Sequence, residues 1–358
     1  MIQKRLQSIK QVGEEVLTDE ELQELLQKKE HPVAYDGFEP SGTSIHIAQG
    51  LLRAININKM TAAGCKFKML IADWHAWANN KMSGDLTKIQ KVGEFYKEVW
   101  KACDMDLKNV EFVWASDLVK DQEYWKIVMN VARNSSMNRI LRTVEIMGRT
   151  EKDTLSAAQI MYPCMQVADI FYLNADICQL GMDQRKVNVL AREVAEKLGY
   201  KKPIVVSHHM LMGLGEPPKE ELTGAERGIA LKMSKSKPDT AIFMLDSKEE
   251  VERKIRKAYC PERIITENPM LEYCKYILFE KFNEIKIKRP EKFGGNLTIK
   301  SYAELEAMFA DGRLHPMDLK TAVAEYLNTL LDPIRKKLHD DKRIMKLYEE
   351  IQKFQVTR

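Results

Sequence analysis

Short apolar segments alternate with longer amphipathic segments through the first 210 residues, and this alternation restricts the fold more than any other feature of the chain. The segments typical of buried strands are VAYDG (33–37), FKMLIAD (67–73), VEFVWA (110–115), ADICQLG (175–181) and PIVVS (203–207). Helical periodicity fills the intervals, at 45–64, at 86–103, in two or three stretches before residue 173, and in VNVLAREVAEKL. Short strands separated by helices predict an α/β fold with a parallel sheet, which binds ligands beyond the carboxyl ends of its strands.

The pattern changes after about residue 240, where almost all of the sequence becomes helical and is interrupted only by Pro and Gly. A length of 358 residues suits about two domains. We therefore predict a first domain over residues 1–240 and a second, helical domain over residues 241–358. The polar segment 213–228, rich in Gly and Pro, should form an exposed loop before the boundary.

Composition excludes several classes of protein. The 56 basic and 52 acidic residues give a net charge of +4, which excludes a histone-like polycation but allows a local basic surface for nucleic acid. An apolar content of 44% excludes wholesale disorder. No apolar run reaches the ~20 residues that a bilayer requires, and the N-terminus lacks the features of a signal peptide. We expect no membrane partner and a cytoplasmic location.

The six cysteines form no CxxC pair and no Cys/His cluster with zinc spacing. They are Cys65, Cys103, Cys164, Cys178, Cys260 and Cys274. We expect all six to remain reduced, and we expect no structural metal.

The segment YDGFEPSGTSIHIAQG (35–50) has the features of a phosphate site. A strand ends at Tyr35, Gly37 removes a side chain at the turn, and a helix is predicted to begin near Ser44 with His46 in its first turn. Backbone N–H groups at a helix N-terminus favour phosphate, and an imidazole there can donate to a phosphate oxygen. Taken alone, the segment favours a plainer interpretation, a turn with an incidental surface histidine.

The segment LKMSKSKPD (231–239) follows the Gly- and Pro-rich loop. Lys232 and Lys235 lie three residues apart, with the small residues Ser234 and Ser236 beside them. Two flexible ammonium groups on a mobile loop can follow the charge that develops on a pyrophosphate leaving group. The commoner meaning of such a cluster is a solvated basic turn.

Two further segments combine polar residues in an unusual way. In MYPCMQVADI (161–170), a helical spacing places Tyr162, Gln166 and Asp169 on one face, which makes a poor hydrophobic face. In GMDQRK (181–186), a strand ends at a glycine and Asp183 and Gln184 follow at a helix start. Taken alone, Asp183 is equally well explained as a helix cap.

Together these four segments, in this order, resemble the tyrosyl-tRNA synthetase family of class I aminoacyl-tRNA synthetases. The first is similar to a HIGH motif, with Gln49 in place of its second histidine, and the second is an intact KMSKS motif. The stretches NPMLEYCKYILFE, IKIKRPEKFGGNLTIKSYAELEAMF and LHPMDLKTAVAEYLNTLLDPIRKKL resemble the archaeal and eukaryotic cytosolic branch. The resemblance covers roughly residues 30–340, and tryptophanyl-tRNA synthetase is the nearest relative in fold.

The resemblance implies a Rossmann-like parallel-sheet catalytic domain followed by a smaller, all-helical anticodon-binding domain. It also implies a homodimer whose two-fold interface uses the insertion at about 115–150. The apolar residues of this stretch could equally belong to the core. They include Leu118, Val119, Val128, Met129, Val131, Ile140 and Leu141. We expect no appended cytokine-like or RNA-binding domain.

The resemblance also assigns a pocket for L-tyrosine. Tyr35 and Asp169 match the residues that read the phenol, which needs a hydrogen-bond acceptor. The residues that match those binding the amino-acid head group are Tyr162, Gln166 and Gln184. Asp73 and His75 should lie near this pocket, but neither the residues nor the resemblance assigns them a role.

The reaction implied by the resemblance has two steps and needs no side-chain nucleophile. The carboxylate of tyrosine attacks the α-phosphate of ATP, and the terminal ribose of tRNA(Tyr) then takes the acyl group. By the same resemblance His46, Lys232 and Lys235 stabilise the charge, Asp183 lies near the ATP ribose and Gly37 lets the nucleotide approach. Mg²⁺ should accompany ATP without a dedicated protein site.

Five residues match positions that contact tRNA in this family. Arg142 and Arg185 correspond to contacts with the first base pair of the acceptor stem. Phe293, His315 and Asp318 correspond to the site that reads the first anticodon base, a guanine. An alternative for the last three is structural, with Phe293 in the core and His315 starting a helix whose first turn holds Asp318.

Two other functions remain to be weighed. An RNA-binding protein on a synthetase scaffold should have lost its ATP motifs first, whereas His46, Lys232, Lys235 and Gln184 are all present, although Gln49 leaves slight room for this alternative. Another nucleotidyltransferase acting on a small molecule would not need the helical domain with its HPMD segment.

Overall fold

The computed structural model describes residues 2–149, 153–222, 224–235 and 237–357, without the side chains of Ala225 and Phe293. The chain divides into two compact units. Unit 1 contains Met1–Thr43, Asn56–His209 and Lys346–Arg358, and unit 2 contains Ser44–Ile55 and Met210–Met345.

The helices follow the periodicity of the sequence closely. They are α1 (Ile2–Lys10), α2 (Asp19–Lys28), α3 (Arg53–Ala62), α4 (Asp73–Ala78), α5 (Leu86–Ala102), α6 (Ala115–Leu118), α7 (Gln122–Arg133), α8 (Met137–Leu141), α9 (Ala157–Tyr172), α10 (Arg185–Ala195), α11 (Gly224–Leu231), α12 (Lys248–Lys257), α13 (Pro269–Tyr273), α14 (Phe279–Lys281), α15 (Tyr302–Ala310), α16 (Pro316–Asp340) and α17 (Lys342–Ile351). Short 3₁₀ helices lie at Lys81–Gly84, Val144–Met147, Met182–Gln184, Glu196–Leu198, Pro238–Thr240 and Glu291–Phe293, and π-helical turns at Ala48–Leu52 and Cys274–Leu278.

Six strands form the sheet of unit 1. They are β1 (Gly13–Leu17), β2 (Val33–Phe38), β3 (Lys66–Ile71), β4 (Val110–Trp114), β5 (Ile177–Gly181) and β6 (Ile204–His208). Their order across the sheet is β1-β6-β5-β2-β3-β4, and only β1 runs antiparallel to its neighbour. The predicted parallel α/β fold is therefore confirmed, with every predicted strand in place.

The sheet has a topological switch point between β2 and β5. From β2 the chain adds β3 and β4 on one side, then crosses over to add β5 and β6 on the other. Adjacent crossover connections leave a crevice at such a point, beyond the carboxyl ends of the two strands. The segments that follow β2 and β5 are those singled out in the sequence, 35–50 and 181–186.

The helix α9 carries the polar stripe seen in the sequence. Its start is fixed by a capping box, in which Ser156 accepts from the backbone N–H of Gln159 and the Gln159 side chain accepts from the Ser156 N–H. Beyond that turn α9 is buried almost throughout, against a core that includes Val128 and Val131 of α7. This burial holds the polar stripe inside unit 1 and away from bulk solvent.

Unit 2 differs from the expected domain in composition and in extent. It is helical except for a two-stranded antiparallel sheet of β7 (Ile285–Ile287) and β8 (Leu297–Ile299), so the expectation of an all-helical domain misses this sheet. The unit also takes in residues before 240. Backbone hydrogen bonds of Leu214 join the residues before 240 to those after it. The Leu214 N–H donates to Thr240 O and the Leu214 carbonyl accepts from Tyr259 N, both at 2.8 Å.

The predicted helix at 45–64 forms in a different way from the expectation. His46 pairs with Phe243 in an isolated bridge, and a π-helical turn, Ala48–Leu52, precedes α3. His46 thus comes before the first turn instead of within it. Gly64 follows α3 with φ of +92°, a conformation that favours glycine, and lies at the end of the helical range 45–64.

Candidate active site

The residues predicted to bind tyrosine come together in unit 1. Tyr35 lies on β2, Gln184 follows β5, and Tyr162, Gln166 and Asp169 lie on α9. Gln166 donates to Gln184 Oε1 at 3.1 Å, and Gln184 donates in turn to Ile146 O at 3.0 Å. The switch point and the stripe of α9 therefore supply one polar cluster.

Asp169 is the most deeply buried acid of this cluster, with no solvent exposure. The hydroxyl of Tyr124, on α7, donates to Asp169 Oδ1 at 2.9 Å. His75 Nε2 lies 2.9 Å from Asp169 Oδ2, off the line of a hydrogen bond. Within the described residues, Oδ2 therefore has no hydrogen-bond donor. A buried carboxylate oxygen without a donor is a site for an incoming hydroxyl.

The tyrosines around Asp169 are neutral. Burial, and next the charge of Asp169, raise the pKa of Tyr35 well above its ordinary value, and Tyr124 is affected in the same way. Burial and the nearby carboxylate of Glu39 raise the pKa of Tyr162. Each phenol is thus held as a hydrogen-bond donor at neutral pH.

Glu39 is a member of the cluster that the sequence analysis did not single out. It directly follows β2 and accepts from Tyr162 Oη at 3.1 Å and from Asn79 Nδ2 at 3.2 Å. Asn79, fully buried, also donates to Met147 O at 3.0 Å. The signal for Glu39 was present, since it lies inside the YDGFEPSG segment, but nothing in the sequence pairs it with Tyr162.

Asp73, Gly37 and Asp183 have local surroundings that bear on their roles. Asp73 accepts from Gln90 Nε2 and from Ser116 N, both at 2.9 Å, and so holds the start of α6. A Cβ at Gly37 would lie 2.8 Å from Tyr35 Oη, so any larger residue here would have to displace the Tyr35 hydroxyl. The N-cap position of α10 belongs to Gln184, so Asp183 is not the cap of this helix.

The two phosphate-binding candidates lie in the same unit of the chain. Ile47 N donates to Ile242 O and Met244 N donates to Ile45 O, which places the segment around His46 beside residues 242–244. The KMSKS segment is fixed by Met233 N donating to Leu211 O at 2.8 Å. Both segments belong to unit 2.

His46 is a neutral imidazole in this arrangement. Its burial first, and then the charges of Lys235, Lys232 and Arg53, hold the pKa of His46 well below its ordinary value. Its Nδ1 is buried and has no hydrogen-bond partner among the described residues. A neutral imidazole beside two lysines adds a hydrogen-bonding group to a cationic site without adding a third charge.

The residues assigned to tRNA contact occupy separate places in the fold. Arg142 is exposed at the end of α8, whereas Arg185 forms a bidentate ion pair with Glu15 of β1, at 2.7 and 3.0 Å. His315 caps α16, its Nδ1 accepting from Met317 N at 3.1 Å, and Asp318 lies in the first turn. The backbone of Phe293 ends a 3₁₀ helix, and its side chain lies outside the described residues.

The described residues contain no group of three or more His, Cys, Asp or Glu side chains placed to hold a metal ion. Within the same ranges, no helix combines the length and apolar character needed to cross a membrane.

Comparison with known proteins defines the class of protein to which this fold and site belong. The family model described as tRNA synthetases class I (W and Y) matches residues 27–332. Cytoplasmic tyrosine–tRNA ligase 1 of Arabidopsis thaliana is 52% identical over 360 residues, which cover 100% of this chain and 90% of the relative. The tyrosine–tRNA ligase of Thermococcus sibiricus is 42% identical over 371 residues, covering 98% of this chain and 99% of the relative.

Among solved structures, the tyrosyl-tRNA synthetase of Pyrococcus horikoshii complexed with L-tyrosine superposes with a TM-score of 0.91. It is 41% identical, and the match covers 98% of this chain and 100% of that structure. The chain therefore belongs to the tyrosine–tRNA ligase family of class I aminoacyl-tRNA synthetases.

Proposed function

We propose that this protein activates L-tyrosine with ATP and transfers the tyrosyl group to the 3′ end of tRNA(Tyr). The observation that carries the proposal is Asp169 Oδ2, a fully buried carboxylate oxygen with no hydrogen-bond donor among the described residues. A phenol hydroxyl supplies that donor, whereas a phenyl ring would leave the oxygen unpaired. The relatives' names agree with tyrosine as the amino acid.

In the first step a tyrosine carboxylate oxygen bonds to the α-phosphorus of ATP, and the bond to the bridging oxygen breaks to release pyrophosphate. Tyr35 and Asp169 hold the phenol of the substrate, and the residues that hold its head group are Tyr162, Gln166 and Gln184. In the second step a ribose hydroxyl at the 3′ end of tRNA attacks the carbonyl, and AMP leaves. This chain contributes positioning and charge stabilisation, and no side chain becomes covalently modified.

The phosphate chemistry falls to His46, Lys232 and Lys235. As a neutral group, His46 can donate a hydrogen bond to a phosphate oxygen while the two ammonium groups follow the charge onto pyrophosphate. Mg²⁺ enters as part of the ATP substrate complex. Asp183 is assigned to the ATP ribose, and Gly37 to the approach of the nucleotide.

We assign residues 1–240 to a catalytic domain and residues 241–358 to an anticodon-binding domain. Arg142 and Arg185 would bind the acceptor stem, and Arg185 would then exchange its Glu15 partner for phosphate or base. His315 and Asp318 lie together at the start of α16, where His315 is 57% exposed and can stack on a base, and Phe293 completes the assignment.

We also assign a homodimer and a cytoplasmic location. Of the seven apolar residues considered for the dimer interface, five are buried in the core of one chain, but Met129 is 53% exposed. Met137 at the start of α8 is 59% exposed, so α7 and α8 offer an apolar surface. Light scattering at micromolar protein should give twice the mass of the chain. The location is supported by the word cytoplasmic in the name of the Arabidopsis relative.

The direct test is ATP–pyrophosphate exchange with each of the twenty amino acids, in which only tyrosine should support rapid exchange. Asp169→Ala should abolish the preference for tyrosine over phenylalanine. Asp176→Ala is the matched control. Asp176 is also a poorly exposed carboxylate, but it binds Val33 N and Lys29 at the amino ends of β2 and β5, away from the carboxyl ends where the site lies. Unchanged discrimination in Asp169→Ala would refute the pocket assignment.

The phosphate assignment has a separate test. The double variant Lys232→Ala and Lys235→Ala should slow adenylate formation far more than it weakens tyrosine binding, because the lysines act on charge that appears in the transition state. Lys237→Ala, an exposed lysine of the same loop, is the control. Normal pre-steady-state adenylate formation in the double variant would refute the assignment.

The anticodon assignment predicts that the two steps separate. Asp318→Ala should weaken aminoacylation and leave exchange near normal, because the first step needs no tRNA. It should also reduce the penalty for changing the first anticodon base. Asp311→Ala, an exposed acid nearby in sequence, should change neither. If exchange, aminoacylation and thermal stability fall together in Asp318→Ala, then Asp318 has only a structural role at the start of α16.

A further inference from the structure

His75 is buried against the carboxylate that is assigned to the substrate phenol. It lies on α4, which follows the carboxyl end of β3, and is 1% exposed. Its Nε2 lies 2.9 Å from Asp169 Oδ2, and its ring meets the ring of Tyr162 edge to face, with centroids 5.1 Å apart. This contact joins two elements, α4 and α9, that both supply side chains to the polar cluster.

Asp169 needs a positive partner more than most acids of the chain. A carboxylate taken fully out of water is costly unless an opposite charge or several hydrogen bonds compensate for it. Tyr124 supplies one neutral hydrogen bond to Oδ1. Among the described residues, His75 is the one cationic side chain within ion-pair distance of Asp169. Its imidazole is thus the available counter-ion.

The His75–Asp169 contact is close but incomplete. Three atoms have no hydrogen-bond partner with good geometry in the described structure: His75 Nδ1, His75 Nε2 and Asp169 Oδ2. All three atoms belong to side chains that are essentially without solvent exposure. A hydroxyl that reaches Oδ2 would satisfy the carboxylate while the imidazole keeps its place as counter-ion.

We propose that His75 is a positioning residue for tyrosine selection, which as an imidazolium is the counter-ion of the Asp169 carboxylate and holds it oriented to accept the substrate phenol. This inference rests on the proposed function, since it assumes that Asp169 binds the phenol. It assigns a role to a residue for which the sequence offered none.

The surroundings of His75 favour the charged form. Burial lowers the pKa of His75, but the charge and contact of Asp169, with smaller effects of Glu39 and Asp73, raise it, and the net shift is upward. The groups that face this site from the neighbouring elements are acids and neutral phenols. They are Asp169 and Tyr162 from α9, Tyr35 and Glu39 from β2 and its end, Tyr124 from α7, and Asp73 from α4 itself.

The test is His75→Gln, which keeps a polar side chain of similar reach but cannot carry a charge. Without the imidazolium, the Asp169 carboxylate loses its counter-ion and should be held less well to accept the phenol. The kcat/KM of tyrosine in exchange should fall about 10- to 100-fold and that of phenylalanine should stay nearly constant. The loss should be mainly in KM, since the phenol contact exists before the transition state.

The pH profile separates a charge effect from loss of packing. In the wild-type protein the ratio of tyrosine to phenylalanine kcat/KM should fall as the pH rises through the raised pKa of His75, because the imidazolium then loses its proton. In His75→Gln the ratio should be low and independent of pH, because glutamine does not titrate. A wild-type ratio that does not depend on pH, or a wild-type ratio and profile in His75→Gln, would overturn the inference.

Controls keep this result apart from the proposed function itself. His31→Gln removes an exposed histidine beside Glu30 in the same unit and should change neither ratio nor profile. Wild-type protein without tyrosine-dependent exchange would overturn the proposed function, whereas normal exchange with an unaffected His75→Gln would overturn only the role of His75. If His75→Gln fails to fold, His75→Asn is measured in the same assays, and the same outcomes apply.

Discussion

Removal of one hydroxyl, by Tyr124→Phe, tests the idea that the buried Asp169 is ionised. The Tyr124 hydroxyl is fully buried, lies 2.9 Å from Asp169 Oδ1 and is within 3.3 Å of Met165 O. The ring stays, so packing is conserved and the change isolates the hydrogen bond. A hydrogen bond to a charged group contributes ~1.5–3 kcal/mol, against ~0.5–1.5 kcal/mol for a neutral pair. We expect Tyr124→Phe to lose about 2 kcal/mol of unfolding free energy.

The matched control is Tyr96→Phe. Tyr96 is equally buried in unit 1, but its hydroxyl donates to the neutral carbonyl of Gly42. We expect this variant to lose about 1 kcal/mol or less. The difference of about 1 kcal/mol between the two variants reports the charge on Asp169.

Tryptophan fluorescence is a suitable probe for both variants. All five tryptophans belong to unit 1, so urea denaturation followed by their emission reports on the unit that contains Tyr124 and Tyr96. Protein concentration must be held constant, because any association would contribute to stability. Equal losses in the two variants would refute an ionised Asp169 and, with it, the basis for His75 as a counter-ion.

Three further predictions follow from other contacts. A hydrogen bond from Arg192 lowers the pKa of Glu21 below its ordinary 4.5. The unfolding free energy lost in Glu21→Gln, followed by tryptophan fluorescence, should therefore be constant above about pH 4.5 and should disappear as the pH falls below it. A loss that persists at about pH 2 would contradict this. All six cysteines are buried, and burial raises the pKa of Cys65 to about 12. A thiol reagent at about pH 7.5 should therefore react slowly with the native protein, and should modify all six thiols after denaturation. Rapid reaction with the native protein would contradict this. A Cβ at Gly50 would lie 2.7 Å from Met244 Sδ, so Gly50→Ala should cost about 1–3 kcal/mol by calorimetry, and no change would show that Met244 can move away.

The parallel strands could be predicted because each is short and mostly apolar, although β4, at the edge of the sheet, is only partly buried. β5 is the extreme case, with all five residues buried. In the six-stranded sheet, the strand that the sequence did not reveal is β1, GEEVL, an edge strand with two adjacent acids and only partial burial. Its pairing with β6 is a contact between distant parts of the chain, which local periodicity cannot contain.

Separation along the sequence also distinguishes the site residues whose roles could be predicted from those whose roles could not. Tyr162, Gln166 and Asp169 were found because one helix sets their spacing. His75 was expected near the pocket but without a role, and Tyr124 was not expected there. Both contact Asp169 across long separations in sequence, about 94 and 45 positions, which no local pattern records. Tyr124 was instead part of a stretch considered only for core or dimer contacts, since its apolar neighbours dominated that stretch.

The boundary between the units shows why a motif need not coincide with a structural unit. The segment 35–50 begins in unit 1 with Tyr35 and ends in unit 2 with His46, since the chain changes unit between Thr43 and Ser44. Its first part follows a strand of the sheet, and its second part is fixed by backbone bonds to Ile242 and Met244. Two residues with different assigned roles are therefore close in sequence, Tyr35 for the phenol and His46 for phosphate. Since no local periodicity marks the change at residue 44, the boundary predicted at 240 followed the change in helical content and not the pairing of the backbone.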